Sequence, residues 1–201
     1  MYFDLDVIDF QAAMEKINIF KPKFILNTIN GESNVVFFSE LFKAKKHSET
    51  LPVMSLSMAE TEVRKIGATL LKGHYLAWTY FHEPELASSR QFIDLVRAKL
   101  GSEVVTDDPM ESAYTQVRLF ELACLRATEL TADGIRNAAL GLQFDEAPGG
   151  PVRIDRENQH LWKRALVGKI GEDGLVSMVW RSDDWIRPEP FLYPKLDQNS
   201  L

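Results

Sequence analysis

Apolar residues recur with two different periods along this chain, and the alternation between them predicts the elements. Phe10, Ala13, Met14 and Ile17 follow Asp9, a capping residue type, at helical spacing, and Pro22 forbids continuation, so a short amphipathic helix is expected. Phe24 to Thr28 is a compact apolar run of strand length, after which Val35, Val36, Phe38, Leu41 and Phe42 return to helical spacing. Leu51 to Leu56 reads as a second buried strand ending at Ser57. Glu60, Glu62, Val63 and Ile66 suggest a brief helix, closed before Gly67 or by Gly73, and the aromatic-rich run Gly73 to Phe81 suggests a third strand. Strands separated by helices form βαβ units, which imply an α/β fold with a parallel sheet and helices on its faces.

From residue 84 the texture changes. Pro84 with Ser88 and Ser89 opens a helix carrying Phe92, Leu95, Val96 and Leu100, and Gly101 ends it. Asp107-Asp108-Pro109 sets a capping Asp and a Pro at a helix start. A long run through Tyr114, Val117, Leu119, Phe120, Leu122, Ala123 and Leu130 follows. Thr131 starts a further helix ending near Gly141. After the turn cluster Pro148 to Pro151, short strands are predicted at Val152 to Ile154, Trp162 to Ile170 and Leu175 to Trp180. Gly171 to Gly174 forms a hairpin between the last two. The tail beyond Pro188 reads as irregular.

With 201 residues and 45% hydrophobic content, the chain can build a sizeable core as one large or two small domains. A formal charge of −6 argues against a nucleic-acid or anionic-membrane surface. The trio Lys43, Lys45 and Lys46 solvates a helix end. Cys124 is the only cysteine, so no disulfide within the chain and no cysteine-based metal site is available; its place in an apolar helical register predicts a buried, inert thiol. No apolar run approaches the roughly 20 residues that span a bilayer, and the first residues lack the basic and apolar regions of a signal peptide, which by itself points to the cytoplasm.

Catalytic signatures are sparse. The chain carries no Gly-rich phosphate loop and no Ser- or His-based catalytic motif, and His47, His74, His82 and His160 are scattered without metal-ligand spacing. Asp107-Asp108 has a capping role and Asp183-Asp184 sits in a polar turn. What remains is the stretch Asn30-Gly31-Glu32-Ser33, where the first strand hands over to a helix with Ser or Asn as the expected N-cap, and Ser57 beyond the second strand. In open α/β sheets ligands bind outside the carboxyl ends of the strands, and these residues offer donors and acceptors for a small neutral polar molecule. An ordinary βα loop has the same spacing.

Five stretches carry a resemblance: LNTINGESNVVFFSEL, PVMSLSMAETEVRKIG, LKGHYLAWTYF, VTDDPMESAY and GPVRIDRENQHLWKRALVGKIGEDG with the following VW and IRPEPF. In the same order, from about residue 9 to 191, they resemble urea and short-chain amide substrate-binding proteins of ABC transporters, and are similar to the amide-sensing regulators of amidase operons. The resemblance implies the type I periplasmic-binding fold: two α/β lobes joined by crossover strands, with ligand in the cleft between them. It implies a second-lobe segment over residues 1–80 with Tyr80 to Glu83 as a crossover, a helical part of the first lobe over 81–145, and a hairpin region over 146–201 returning to the second lobe. Asn30, Gly31, Glu32 and Ser33 would then face the cleft, with Ser57 reaching an amide or urea ligand. An ABC permease would be the partner and the periplasm the compartment, with no cofactor, metal or catalytic residue. The resemblance covers only the later part of the family, so the lobes are expected to be incomplete, with exposed sheet edges that a homo-oligomer would cover. Glu146 stands as an extra residue in a turn, with little consequence expected.

Overall fold

The computed structural model describes residues 1–4, 8–83 and 85–190. The predicted helix opening at Pro84 and the predicted irregular tail therefore lie partly outside the described residues, the former at Pro84 itself and the latter over 191–201.

Helix α1 (Gln11–Phe20) leads to strand β1 (Ile25–Asn27), helix α2 (Ser33–Lys43), strand β2 (Val53–Ser55), helices α3 (Glu60–Ile66) and α4 (Ala68–Leu71), and strand β3 (Tyr75–Trp78). These alternating elements form the expected parallel sheet: Ile25 pairs with Val53, Asn27 with Ser55, and Met54 with Tyr75, all in parallel register. The sheet is then completed from the far end of the chain. Strand β7 (Leu166–Ile170), numbered in chain order after the elements below, pairs antiparallel with β3, and β8 (Val176–Arg181) pairs with β7, giving the order β1-β2-β3-β7-β8. Gly168 is required at the β7 bulge, because a Cβ there would stand 2.3 Å from Val176 Cγ1 and 2.9 Å from the Phe81 ring.

Between the two halves of that sheet run α5 (Ala87–Leu100), α6 (Asp108–Arg126) and α7 (Ala132–Ala139), followed by β4 (Gln143–Phe144), β5 (Val152–Ile154) and β6 (Leu161–Trp162), which make a separate antiparallel sheet. Two caps are the ones the residue types predict, Asp107 accepting from Met110 N–H at 3.0 Å and Thr131 from Gly134 N–H at 3.1 Å, whereas α1 is preceded by Phe10 in the N-cap place and Asp9, expected there, accepts from Gln11 N–H at 2.9 Å.

Four expectations are corrected. The strand read as Trp162 to Ile170 is two strands in different sheets, because residues 163–165 turn the chain from one sheet to the other. The helix read through to Leu130 stops at Arg126 and leaves Leu130 77% exposed. Cys124 is only partly buried, since that side of α6 is not fully covered. Helix α2 begins after Glu32 in helical conformation without a side-chain cap, so neither Asn30 nor Ser33 is its N-cap.

The main core lies between the large sheet and α1 to α4, with Val53, Val63, Leu71 and Leu76 fully buried. Rings stack through it from Phe3 to Phe10 (4.9 Å), Phe37 (5.4 Å), Phe38 (5.3 Å) and His74 (5.3 Å). His74 is a structural residue here. Its Nδ1 accepts from Val53 N–H at 3.0 Å, and burial pulls its pKa down to about 4, so the ring is neutral. A smaller core of Leu119, Phe144, Ala147 and Val152 joins α6 to the antiparallel sheet. Strand β1 forms an edge of the large sheet among the described residues, and Phe24 (60%) and Leu26 (59%) beside it are exposed.

Candidate functional site

At the carboxyl ends of β1 and β2 a buried polar network fixes the connecting loops. Asn27, the last residue of β1, donates from Nδ2 to Asn34 Oδ1 at 2.9 Å and to Ser55 Oγ at 3.0 Å, and its Oδ1 accepts from Ile29 N–H at 2.9 Å. Asn34 Nδ2 donates to the Ile29 carbonyl at 2.8 Å, which also accepts from Ser57 Oγ at 2.8 Å. Asn27, Asn34 and Ser55 are all buried, so the bonds among their side chains are made away from water, where leaving a partner unmatched would be costly. The loop after β1 is thus held at both ends, and Gly31 takes the left-handed turn (φ +65°) that carries it into α2.

The five site residues expected from the sequence are placed differently from one another. Asn30 and Gly31 are exposed at the loop tip. The Glu32 carboxylate is exposed and paired with Lys65 from α3. The Ser57 hydroxyl is half-buried and donates to Ile29, leaving its oxygen free to accept. Ser33 is 2% exposed, and its hydroxyl has no hydrogen-bond partner among the described residues.

Asn30 and Ser33 line one cavity of about 380 Å³. Residues 25–30 form one wall and residues 1–4 another, with Ile17 of α1 and Phe37 of α2 between them. Gly31, Glu32 and Ser57 are not on its wall. Sequence reasoning missed Asn27, Asn34 and Ser55; the available signal was the polar residue closing each of the apolar runs at 24–28 and 51–56. Another cavity, about 530 Å³, lies between α6, α7 and the β5–β6 connection and is lined by none of the five residues.

A second polar cluster clamps the segment after β3. Glu60 Oε1 accepts from His82 N–H at 2.8 Å, Asp107 Oδ2 accepts from the Thr61 hydroxyl at 2.7 Å, and Asp108 Oδ2 accepts from Thr79 N–H at 2.9 Å. His82 Nδ1 accepts from Thr106 N–H at 3.1 Å, and the hydroxyls of Tyr80 and Thr106 meet at 2.7 Å. Burial, with Asp107 and Asp108 adding to it, pushes Glu60 up to about 8, so the acid is largely protonated at neutral pH. Residues 79–82 are thereby tied to both α3 and the start of α6. These contacts do positional work. Among the described residues no group of His, Cys, Asp or Glu could hold a metal ion, and no helix is long and apolar enough to cross a membrane.

Comparison with known proteins gives the fold a context. The family described as "Periplasmic binding protein domain" matches residues 1–196. Among solved structures, the amino acid ABC transporter substrate-binding protein of Pseudomonas fluorescens Pf-5 superposes with a TM-score of 0.79 at 16% identity, over 94% of this chain and 51% of that one. A solute-binding protein of an ABC transporter from R. palustris, in complex with benzoate, gives 0.80 at 14% identity, over 93% and 50% of the two chains. At these identities the likeness is one of fold. A protein named limonene hydroxylase, from Geobacillus stearothermophilus, is 24% identical over 127 residues, 63% of this chain and 23% of its own length. The chain therefore spans about half the length of these solved relatives and a smaller share of that curated one.

Proposed function

The chain belongs to the periplasmic binding protein domain family and has the type I periplasmic-binding fold, and from that premise we propose that it is a non-catalytic receptor for a small neutral solute, urea or a short-chain amide, serving an ABC uptake system. The observation that carries this reading is the pinned loop at the carboxyl ends of β1 and β2. The bonds among Asn27, Asn34, Ser55 and Ile29 hold Asn30, Ser33 and Ser57 in place before any ligand arrives. Preorganised neutral donors and acceptors favour an uncharged polar solute, because an ionised one would need a buried counter-charge. Glu32 and Lys65 neutralise each other and supply none.

In this reading residues 1–80 and the hairpin after Gly149 belong to one lobe and the helices between them to the other, with Asp107, Asp108 and Glu60 setting the path of the crossing segment. A permease is the natural partner and the periplasm the natural compartment. A second reading has support from exposed apolar residues: Phe24 and Leu26 beside β1, and Val117 (67%), Phe120 (60%) and Leu125 (78%) on α6. Surfaces of this kind suit association with another protein surface, including a second copy of the chain.

Isothermal titration with formamide, acetamide, butyramide and urea at millimolar concentration tests the first reading. Saturable heat with at least one of them is expected, reduced about tenfold in affinity by Ser55→Ala, which removes one of the bonds that pin the loop and does not line the cavity. Heat absent for the whole panel would exclude urea and short unbranched amides as ligands of this chain.

A further inference from the structure

Resting on the solute-receptor reading, we infer that the preferred solute is a primary amide with a branched aliphatic or aromatic body, rather than urea or acetamide. The cavity beside β1 measures about 380 Å³, within the range of sites for molecules much larger than urea. Its walls are mostly apolar: Phe3, Ile17, Ile25, Leu26, Ile29 and Phe37. Urea, with four non-hydrogen atoms and hydrogen-bonding groups on every side, would leave most of that wall uncovered. Apolar cavities are filled favourably by apolar guests and poorly by water.

The polar end of the solute is placed by Ser33. Ser33 lines the cavity, and its buried hydroxyl has no hydrogen-bond partner among the described residues. A ligand carbonyl would accept from it, and the exposed side chain of Asn30 on the same wall can bond the amide nitrogen. Neutrality follows from the charges present. Asp4 and Lys16 border the cavity but are exposed and remain with water, so a carboxylate in place of the amide would be desolvated against the apolar wall without a buried counter-ion.

The test is titration of the full chain with isovaleramide, benzamide, acetamide, urea and benzoate. At about fourfold per buried methylene, isovaleramide should bind at least tenfold tighter than acetamide or urea, and benzamide tighter than benzoate. Urea or acetamide binding as tightly as isovaleramide would overturn the inference and leave the receptor reading standing, whereas silence from the entire panel would remove both. Benzoate equal to benzamide would overturn the neutral head group. Ser33→Ala should weaken isovaleramide about fivefold while leaving the unfolding midpoint of the free protein unchanged or higher, since the hydroxyl bonds no described residue of the fold. A lower midpoint in that variant would make the hydroxyl structural and contradict the assignment. Leu26→Gln, at an exposed position of the wall, keeps the fold and should abolish most of the preference for isovaleramide over acetamide.

Discussion

Replacing Lys163 by Met should cost about 3–5 kcal/mol of stability, the typical penalty for stranding one member of a buried ion pair. Lys163 Nζ bonds Glu111 Oε2 at 2.6 Å, and the side chains are 13% and 0% exposed. Glu111 also accepts from Thr115 at 2.8 Å, so it is held from both sides on the first turns of α6, while Lys163 sits where the chain passes from the small sheet to the large one. Removing the lysine leaves a carboxylate in the interior with a single hydroxyl for company. The unfolding midpoint should fall by roughly 10 °C for a protein of this size. Lys163→Met with Glu111→Gln should recover most of the loss, because exchanging both partners removes the stranded charge along with the pair. A single variant as stable as the parent would show that this contact contributes nothing to joining the two sheets. Guanidinium chloride is the denaturant of choice for the measurement, given that urea is a candidate ligand.

The second large effect is a pH dependence set by Glu60. Its carboxyl is 3% exposed, and its Oε2 has no partner among the described residues. Burial raises its pKa from 4.5 to about 8 in the folded protein, while an unfolded chain restores the lower value. Below pH 4.5 both states are protonated and the group is neutral in its effect. As pH rises from 4.5 toward 8 the unfolded state ionises and the folded state does not, so stability falls, and it levels off above 8. The full loss is on the order of 5 kcal/mol. His74 works in the opposite sense. Held neutral with a pKa of about 4 against the ordinary 6.5, it makes the protein less stable as pH drops through that window. The Glu60 effect is therefore seen most cleanly between pH 6.5 and 8. Glu60→Gln keeps an acceptor for His82 N–H and cannot ionise. Its stability should be higher than the parent's at pH 8, with the decline between pH 6.5 and 8 largely gone. An unchanged slope in that variant would place the titration elsewhere.

Much of the fold was legible because it is written in local terms. Pro22, Gly67, Gly101 and the Asp107-Asp108-Pro109 cap punctuate the helices, and apolar runs at 24–28 and 51–56 mark strands that pair in parallel, as alternation with helices requires. The passage from β6 to β7 was not legible, because Trp162 to Ile170 has the composition of one strand. The break falls where Lys163 meets Glu111, 52 positions earlier in the chain, a contact no local pattern announces. The long helix was overread for a related reason: Leu130 keeps the apolar register going past Arg126, yet it is exposed.

At the candidate site, the sequence singled out the loop after β1, and the structure places the residues of that loop differently from one another. Asn30 and Ser33 share a cavity, but Ser33 is the first residue of α2 instead of its cap. Glu32 turns outward to Lys65. The residues that hold the loop, Asn27, Asn34 and Ser55, carry only a weak local signal, a polar residue late in each of the apolar runs for Asn27 and Ser55 and none for Asn34. Their partners lie up to 28 positions away, and only parallel pairing of β1 with β2 brings Asn27 opposite Ser55. That pairing also explains why an amide was needed at the end of a strand otherwise rich in apolar side chains: Asn27 supplies a donor to two acceptors and an acceptor to the loop backbone in one buried position.

The central claim, that the loop after β1 is a receptor site for a small neutral amide, is tested most directly by a two-dimensional amide-proton NMR titration with isovaleramide. The account expects saturable shifts concentrated at Ile29, Asn30, Gly31, Ser33 and neighbouring Ser57. Saturable shifts clustered instead around Leu119, Ile135 and His160 at the other cavity, or no saturable shift anywhere, would contradict it.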